Sequence, residues 1–472
     1  MDTQKLRQRI LDLAIRGKLV PQDPNDEPAS VLLDRIRAEK ERLIAEGKIK
    51  RPKAKKSTDK SHYQNFTPPF DIPESWQWVR LGDYVINRDG ERVPIASTIR
   101  SKQSNKIYDY YGAAGAIDKV DNYIFDERLL LIGEDGANLL SRTKDNAFFA
   151  DGKYWVNNHA HVLDSSDKFL LEFVALYINT IPLDDYITGS AQPKLSQDNL
   201  NNIHLPIPPI EEQRRILTMI ESLMSIICEI RESKQQLSQS IALTKSKILD
   251  LAMQGKLVPQ DPADEPAAEM LRRVNPKAKI ITDNPHYPQL PDNWVLTRIK
   301  DVFEINPKNK ASDNIQAGFV PMASIHDGYS NKFHYDLKQW GEIKSGFTHF
   351  ADGDIAVAKI SPCLENRKSM ILRDLPNGIG AGTTELLIFR STILIPEFSL
   401  LFFKSDNFIK CCTGTFNGVV GQQRVGKSIV EDIHIPIPPL NTQRAIVQRV
   451  QDWFNCLDNI FVCISNERDS LI

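Results

Sequence analysis

The feature that most constrains the fold of this chain is an internal repeat. Residues 10–29 read ILDLAIRGKLVPQDPNDEPA and residues 248–267 read ILDLAMQGKLVPQDPADEPA, with 17 of 20 positions identical. A second pair, IHLPIPPIEEQRRI from Ile203 and IHIPIPPLNTQRAI from Ile433, is separated by 230 residues instead of 238. Because each copy of such a repeat carries one structural unit, the chain is predicted to contain two copies of one module.

The two offsets indicate a circular permutation. At the offset of 230 the last residue, Ile472, corresponds to Ala242, and at the offset of 238 Lys5 corresponds to Leu243. The second copy therefore stops at the end of the chain and resumes at its beginning. This arrangement predicts that the two termini lie close together.

Each proline-rich motif is followed by a long helical pattern in which apolar residues alternate three and four apart, as in a coiled coil. The first series is Ile216, Ile220, Leu223, Ile227, Ile230, Lys234, Leu237, Ile241, Thr244, Ile248 and Leu251. The second is Ile446, Val450, Trp453, Leu457, Ile460, Ile464, Glu467 and Leu471, continuing as Leu6, Ile10 and Leu13. Gly17 and Gly255 are predicted to end these helices in the left-handed conformation.

Two equal apolar seams in one chain are best buried by packing against each other antiparallel. An arm from Ile216 to Leu251 would be about 50 Å long at 1.5 Å per residue. The register brings Lys234 near Glu467, and we predict a contact between them that helps to fix it. The alternative is that both charges extend into water.

Between the arms lie two modules that mix short β-like and helical runs. The β-like runs are DERLLLIGEDG from Asp126, GDIAVAKIS from Gly353 and TTELLIFR from Thr383, and the helical runs are FLLEFVALYINT from Phe169 and FSLLFFKSDNFIKCC from Phe398. PESWQWVRLGD from Pro73 and PDNWVLTRIKD from Pro291 open the modules; their ends match while their middles differ. Matched ends with different interiors indicate one fold that reads two different targets. The predicted segments are 1–61 (helix plus basic extension), 62–210 (first module), 211–285 (central arm and linker), 286–440 (second module) and 441–472 (C-terminal arm).

A phosphate-binding motif, G-x-x-x-x-G-K-S, spans Gly421 to Ser428. Such a loop needs a buried strand before it, a helix after it and a later strand that carries a Mg²⁺-binding aspartate. Pro436 leaves room for barely two helical turns, and the equivalent stretch AQPKLSQD from Ala191 has neither glycine. The motif is therefore interpreted as an accidental match.

Composition excludes several other classes of protein. The formal net charge is −2, so any nucleic-acid surface must be local. The six cysteines form no C-x-x-C pair and no metal-ligand spacing with histidine, which favours reduced thiols in the cytoplasm. No apolar run approaches the roughly 18 residues that a membrane span needs.

GSAQPKLSQDNLNNIHLPIPPIEEQRRI from Gly189 and GVVGQQRVGKSIVEDIHIPIPPLNTQRAI from Gly418 resemble a known signature. It closes each target-recognition domain in the specificity subunits of type I restriction–modification enzymes. The P-x-x-W-x-x-x-R motifs at Pro73 and Pro291 resemble the domain starts of that family. The resemblance covers nearly the whole chain, although the extension at 31–61, with its basic stretch KIKRPKAKKSTDK, is longer than its counterpart near RRVNPKAKIITDNP.

The resemblance implies an α+β fold in which two α/β target-recognition domains form a permuted tandem repeat separated by two long antiparallel helices. It also implies a non-catalytic subunit that reads double-stranded DNA, each domain taking one half of a bipartite site. The implied partners are two modification (methyltransferase) subunits and two restriction (motor–nuclease) subunits. S-adenosylmethionine, ATP and Mg²⁺ would bind to those partners, which methylate adenine N6, and no cofactor or metal is expected in this chain.

The residues agree with this reading through the motifs that are missing. The sequence has no N-P-P-[YF] or D-P-P-[YFW] tetrapeptide, and the nearest stretch, Thr67 to Phe70, lacks the amide or carboxylate that would hold a target amine. No glycine-rich methyl-donor loop follows a strand, and no nuclease or second helicase motif is convincing. A chain of this length without a consistent catalytic set is interpreted as a reader.

Base reading needs Arg, Lys, Asn and Gln side chains. The densest stretches hold Arg92, Arg100, Lys102, Gln103, Asn105 and Lys106 in the first module and Lys308, Asn309, Lys310, Asn366, Arg367 and Lys368 in the second. Gln192 with Gln422, and Lys194 with Arg424, are predicted to contact the DNA backbone, because equivalent residues in the two halves cannot read different sequences. The alternative for each residue is a solvated surface side chain.

Other conspicuous residues are interpreted as structural. Asp135-Gly136 is read as a turn between strands, and His204 and His434 as residues at a strand edge. Trp76 and Trp294 are predicted core anchors of the modules. The rival functions left open are a nucleotide hydrolase built on Gly421–Ser428, a coiled-coil scaffold that reads no DNA, and a solitary or anti-restriction relative of the same fold.

Overall fold

The structure, a computed structural model, describes residues 2–49, 67–189, 192–283, 287, 289–391, 393–415 and 423–466. The chain divides into two compact units, residues 1–233 and 234–472. Each unit contains one of the predicted modules together with helical arm segments. The predicted proximity of the termini and the Lys234–Glu467 contact stay predictions, because Met1 and residues 467–472 lie outside the described ranges. The antiparallel pairing of the arms stays a prediction as well.

The first unit contains ten described strands. They are β1 (Gln77–Arg80), β2 (Ile86–Asn87), β3 (Tyr108–Gly112), β4 (Gly115–Val120), β5 (Phe125–Asp126), β6 (Leu129–Gly133), β7 (Ala147–Ala150), β8 (Lys153–Val156), β9 (Ala160–Asp164) and β10 (His204–Ile207). Its helices are α1 (Thr3–Ile15), α2 (Ala29–Ala45), α3 (Leu81–Tyr84), α4 (Ser97–Arg100), α5 (Asn138–Ser141), α6 (Leu170–Thr180), α7 (Gln197–Asn201) and the start of α8 (Ile210–Met253).

The second unit repeats this order, again with ten described strands. They are β11 (Val295–Arg298), β12 (Glu304–Ile305), β13 (Gln316–Val320), β14 (Asp336–Gln339), β15 (Thr348–Ala351), β16 (Ile355–Ala358), β17 (Ser369–Ile371), β18 (Ile379–Gly382), β19 (Leu386–Arg390) and β20 (His434–Ile437). Its helices, after the end of α8, are α9 (Ala267–Val274), α10 (Ile299–Val302), α11 (Trp340–Ile343), α12 (Pro396–Phe403), α13 (Asp406–Thr413), α14 (Lys427–Asp432) and α15 (Leu440–Asn466). Short 3-10 turns lie at Asp89–Glu91, Asp184–Tyr186, Met322–Ser324 and Pro376–Gly378.

The sheets of the two units have the same topology. In the first unit the strand orders are β1-β10, β2-β9-β6-β7 and β4-β3-β8-β5, and in the second they are β11-β20, β12-β19-β16-β17 and β14-β13-β18-β15. Among the described strands, only β3 with β8, and β13 with β18, pair in parallel. The tandem repeat predicted from matched ends is therefore confirmed through the divergent middles as well.

The two repeated sequence motifs of each module pair with each other. Strand β1 follows the tryptophan motif and is antiparallel to the proline-rich strand β10, with Arg80 opposite His204; β11 and β20 pair with Arg298 opposite His434. Both histidines thus begin a strand, in agreement with the structural interpretation. This small sheet closes each module on itself and places the start of the following arm beside the module's opening strand.

The helix ends that recur in both halves explain why the tryptophans are core anchors. Gly17 (φ +66°) lies under Pro73 and Trp76, and a Cβ atom added at Gly17 would be 2.5 Å from Pro73 Cγ. Lys18 N donates to Leu13 O at 2.9 Å and Gly17 N to Ala14 O at 3.3 Å, which is a Schellman end. The Gly255 end has the same bonds and lies under Pro291 and Trp294. Both tryptophans are buried, so both predictions are confirmed.

The seam predicted on the first arm is confirmed over most of its length. Along α8, Ile216, Ile220 and Ile248 are buried, while Leu223, Ile227, Ile230, Lys234, Leu237, Ile241 and Leu251 are half-buried. Thr244 is the exception, since its side chain is exposed and its hydroxyl donates to Ser240 O. The arm helix begins at Ile210, a few residues before the predicted series.

The seam predicted on the second arm is wrong at two positions. Trp453 and Ile460 are 47% and 42% exposed, whereas Phe454, Leu457 and Phe461 are the half-buried side chains. The apolar face follows the 3.6-residue period of a single helix, which drifts from a strict heptad within two turns. Phe454 packs against Tyr329 of the second module, and this contact sets which face of α15 is turned inward.

Two other expectations are refined. The run FSLLFFKSDNFIKCC forms two helices, α12 and α13, because the Ser405 side chain accepts a hydrogen bond from Phe408 N and begins a new helix. The extension contains α2, which buries Leu32, Leu33 and Ile36 in the first unit, whereas its counterpart α9 has only eight residues. Most of the basic stretch, residues 50–60, lies outside the described residues.

Candidate nucleic-acid interface

The predicted reading stretches fall on equivalent connections of the two modules. RSKQSNK (100–106) lies between β2 and β3, and KNK (308–310) lies between the equivalent strands β12 and β13. Residues 366–368 lie between β16 and β17, in the connection that corresponds to the loop after β6. The QPKL segment and its counterpart precede α7 and α14. Candidate residues therefore lie on two connections of the first module and on three of the second, on a common framework.

In the first unit, a charged network ties two of these connections to the end of β6. Glu134 accepts a hydrogen bond from Arg92 Nη1 at 2.6 Å and pairs with Lys194 Nζ at 3.1 Å. Arg92 also donates to Ala160 O at 2.7 Å, and its side chain is only 13% exposed. Lys194 remains 53% exposed. Arg92 is thus an internal anchor of the loop, while Lys194 still faces solvent.

A buried histidine extends this network inward. His161 is fully buried; its Nδ1 is 2.6 Å from Asp89 Oδ2 and its Nε2 is 2.8 Å from Leu195 O. Asp89 also accepts a hydrogen bond from Val162 N. Burial raises the pKa of Asp89, but the hydrogen bond and charge of His161 and the charge of Arg92 outweigh it and hold this pKa below its usual value.

The pKa of Glu134 is likewise lowered by its cationic neighbours in spite of burial. Burial raises the pKa of Glu134, whereas the Arg92 hydrogen bond, the His161 charge and the Lys194 hydrogen bond together lower it below the ordinary value. The carboxylate is therefore charged at neutral pH and holds its two cations in place. The backbone of the Lys194 segment is fixed too, since Leu195 N donates to Glu134 O at 2.8 Å and Gly136 N donates to Pro193 O at 3.0 Å.

The RSKQSNK stretch is fastened to the neighbouring hairpin. Arg100 Nε and Lys106 Nζ bind the two carboxylate oxygens of Asp118 at 2.9 and 2.8 Å, and the Arg100 guanidinium lies over the Tyr110 ring. Asn105 adopts a left-handed turn conformation, with φ of 63°. The carboxylate therefore holds both ends of the stretch.

Between these two anchors, Lys102 is exposed and, among the described residues, has no ion pair. Gln103 has a buried Oε1 that meets no donor among the described atoms. Of the stretch's basic side chains, Lys102 is consequently the one best placed to meet a phosphate.

In the second unit, Arg424 is the equivalent of Lys194 and pairs with a different acid. Arg424 pairs with both oxygens of Glu385, at 2.8 and 3.0 Å, and its side chain is 45% exposed. Glu385 precedes β19, whereas Glu134 follows β6, so the acids come from different strands. The backbone is held in the same way as in the first unit, because Val425 N donates to Lys359 O. Gln192 is exposed, and Gln422 lies outside the described residues.

The KNK stretch presents two lysines on either side of a fixed asparagine. Asn309 Nδ2 donates to Phe350 O at 2.6 Å, and its backbone N donates to His349 Nδ1 at 3.3 Å. Lys308 and Lys310 are both exposed. Asn309 therefore pins the loop, and its amide is occupied within the protein, while the lysines are available to a phosphate.

The third stretch faces into the second unit. Arg367 has φ of 57°, donates from Nε to Lys404 O at 3.1 Å and pairs with Asp406. Lys368 Nζ donates to Met322 O at 3.3 Å, and its side chain is 16% exposed. Asn366 is exposed. The structure thus assigns Arg367 and Lys368 internal contacts that the sequence did not suggest.

Sequence reasoning missed the acidic partners and one buried cation. Four acids, Glu134, Asp118, Glu385 and Asp406, each pair with a predicted reader. Glu134 and Glu385 lie beside strand ends, whereas Asp118 lies within β4 and Asp406 begins α13, so no common sequence signal marks them. Lys404 was also missed; it is 2% exposed and donates to Gly328 O and Arg367 O at 2.7 and 2.8 Å. Burial and the Arg367 charge lower the pKa of Lys404 to about 7.

The phosphate-loop match has no phosphate-loop geometry in its described part, Gln423–Ser428. A single isolated bridge, Ile360 to Arg424, precedes α14, which has only six residues. Lys427 Nζ is 3.5 Å from Glu431 of its own helix. The interpretation of the motif as accidental is therefore supported by the structure.

Metal and membrane features are not found in the described part of the chain. No group of three or more His, Cys, Asp or Glu side chains there could hold a metal ion. The described helices include none that is long and apolar enough to cross a membrane. All six cysteines are unpaired thiols.

Comparison with known proteins identifies the class. The family model described as "Type I restriction modification DNA specificity domain" matches residues 73–239 and 291–461, one match per module and more than half of the chain. The chain therefore belongs to the type I restriction–modification specificity family.

Particular relatives refine this statement. The chain is 42% identical over 231 residues to the Escherichia coli EcoAI specificity subunit, covering 45% of this chain and 39% of that one. It is 40% identical over 243 residues to the E. coli EcoEI specificity subunit, covering 48% and 40%. The matches thus span about two-fifths of the length of these curated relatives.

A solved structure shows the same fold. This structure, reported as "Structural basis underlying complex assembly and conformational transition of the type I R-M system", aligns with a TM-score of 0.52 at 16% identity. The alignment covers 85% of this chain and 96% of the other. The predicted fold class, two α/β modules in tandem with a long helix, is therefore confirmed.

Proposed function

We propose that this chain is the DNA-reading specificity subunit of a type I restriction–modification complex. Each module reads one half of a bipartite double-stranded target, and the arm helices set the gap between the halves. The observation that carries the proposal is the pair of modules with one strand topology and different side chains on equivalent loops. A framework kept constant while its loops differ is what two different half-sites require.

The partners follow from the same proposal. Two modification subunits would bind S-adenosylmethionine and methylate adenine N6, and two restriction subunits would use ATP and Mg²⁺ for cleavage. The chain itself would contribute recognition without catalysis, in the cytoplasm. The relatives named above are themselves called specificity subunits, which supports this division of labour.

The candidate interface supports phosphate contact through its exposed cations. Lys102, Lys308 and Lys310 are exposed, and Lys194 and Arg424 are about half exposed while held by a glutamate. Arginine and lysine at phosphates supply affinity without sequence information, whereas amide and guanidinium groups at base edges supply specificity. We place Lys194 and Arg424 on the backbone, since the two modules share these cations.

A genome-wide map of N6-methyladenine tests the proposal. Deleting the gene in its host is expected to remove methylation from one split motif of two short sequences at a fixed gap, and restoring the gene should return it. A chain that only assembles proteins would leave no sequence-dependent methylation to lose. The hydrolase rival predicts instead that the purified chain binds ATP and loses that binding in Lys427→Ala.

A further inference from the structure

The second module is fastened to the arm helices by two residues from separate loops. Tyr329, between β13 and β14, packs edge-on against Phe454 of α15 with ring centroids 5.3 Å apart. Its hydroxyl donates to Ala242 O of α8 at 3.4 Å. Arg367, from the loop between β16 and β17, lies over the same tyrosine ring at 5.0 Å. One aromatic ring therefore joins two module loops to both helices.

A carboxylate completes the connection to α8. Asp406, the first residue of α13, pairs through Oδ1 with Arg367 and accepts a hydrogen bond from Ser246 Oγ on its other oxygen at 2.5 Å. Lys245, the neighbour of Ser246, pairs with Asp458 of α15 at 2.6 Å and lies 5.0 Å from the Phe454 ring centroid. The two helices and the module are thus held at one point by alternating charge and aromatic contacts.

Burial makes most of these contacts stronger than ordinary surface pairs, and the exception is Asp458, whose side chain is 59% exposed. The side chains of Lys245 and Arg367 are 11% and 22% exposed, and Ser246 is buried. Lys404 lies beneath and holds the backbone carbonyls of Gly328 and Arg367, so both loops are fixed next to their contact residues. Networks of this kind, shielded from water, lose more than a single exposed ion pair when one member is removed.

The first unit has no equivalent connection among its described residues. The positions that correspond to Lys245 and Ser246 are Arg7 and Gln8, and both side chains are exposed. Helix α13, which supplies Asp406, follows α12, whereas the described chain between the equivalent α6 and α7 has no α-helix and only the 3-10 turn Asp184–Tyr186. The connection is therefore a special property of the second copy and does not belong to the shared framework.

We propose that Tyr329, Arg367, Asp406, Ser246, Lys245 and Phe454, here called the latch, fix the orientation of the second module on its arm helices and so define the permitted gap between the two half-sites. The inference rests on the proposed function and assigns these side chains a positioning role. Each base pair turns the duplex by about a tenth of a helical turn, so a module held at one orientation meets its half-site at one gap only. Arg367 then acts on DNA through the module's orientation, without touching a base.

The test compares Tyr329→Leu, which removes the ring, with the matched control Tyr329→Phe, which keeps the ring and removes only the hydroxyl. Each full chain is co-expressed with its modification subunits, and methylation is measured on duplexes carrying the native gap or a gap one base pair shorter or longer. We expect Tyr329→Leu to reduce the discrimination between gaps by about tenfold. Ser246→Ala should reduce it by less. The half-site sequences should stay unchanged, and Tyr329→Phe should behave nearly as the wild type does.

Arg367→Gln separates positioning from base reading. A relaxed gap with the same half-site sequences supports the latch, whereas a changed base preference at the native gap overturns it and makes Arg367 a reader. A uniform fall in methylation at every gap in Tyr329→Leu would also overturn it, since lost stability alone gives that result.

The proposed function fails if the wild-type chain directs no bipartite methylation. A second measurement, on the full chain without DNA, tests the latch in that case too. Hydrogen exchange should rise at residues 242–249 and 404–409 in Tyr329→Leu but not in Tyr329→Phe. Unchanged exchange in the leucine variant would overturn the latch.

Discussion

At the residue scale, the candidate interface divides into anchors and exposed cations. Three arginines, Arg92, Arg100 and Arg367, form ion pairs with carboxylates of the protein. A contact with DNA would break these pairs and leave the carboxylates without a cation. Lys308 and Lys310 have no such partner among the described residues. A buried or half-buried charge that loses its partner costs more than an exposed one, so the exposed lysines can bind phosphate at a lower energetic cost.

The double variant Lys308→Gln, Lys310→Gln is expected to weaken DNA binding without changing which sequence is preferred. Removing two phosphate contacts should lower the slope of log affinity against log salt concentration by about 2, since each contact contributes about 0.9. Affinity for specific and unrelated duplexes is measured by fluorescence anisotropy over a salt series with the full chain. The control is Lys344→Gln, because Lys344 is already paired with Asp313 at 2.7 Å. An unchanged slope in the double variant would place this loop away from the DNA.

At the element scale, the sequence predicted well wherever a local pattern determines the structure. Gly17 and Gly255 mark helix ends because only a left-handed residue closes the two Schellman bonds. The run LLLIG forms a central strand because it is apolar throughout, and LLIFR does so with four apolar residues before Arg390. The second seam failed at Trp453 because its true face depends on Phe454 meeting Tyr329, more than a hundred residues away in the chain. The acid partners of the predicted readers were missed for the same reason.

The helix ends allow a matched stability test within the first unit. Gly17→Ala is expected to destabilise the protein by about 3 kcal/mol, because a left-handed alanine costs about 1 kcal/mol and its Cβ would collide with Pro73 at 2.5 Å. Gly47 also has a positive φ, of +71°, but nothing lies within 4 Å of the added Cβ. Gly47→Ala should therefore cost only about 1 kcal/mol. Urea unfolding of the full chain measures both, and equal losses would show that the contact with Pro73 is unimportant.

At the scale of the whole molecule, the repeat separates what is constant from what varies. The small β1-β10 and β11-β20 sheets and the glycine–proline–tryptophan contacts recur in both units and join each module to an arm. The loops differ in length, sequence and acid partner, as the pairs Glu134–Lys194 and Glu385–Arg424 illustrate. We therefore expect the constant parts to tolerate exchange of the variable ones.

Exchange of residues 286–440 for the equivalent segment of a family relative is expected to change one half of the methylated motif and leave the other half intact. Exchange of residues 62–210 should change only the opposite half. Methylome sequencing of both strains measures the two motifs, and each strain serves as the control for the other. The segment 286–440 contains Tyr329, Arg367 and Asp406 but leaves Ser246, Lys245 and Phe454 in the recipient. A donor segment with an acid and an aromatic residue at the latch positions should keep the recipient's gap, whereas one without them should broaden it. Simultaneous change of both half-sites after a single exchange would contradict the assignment of one half-site to each module.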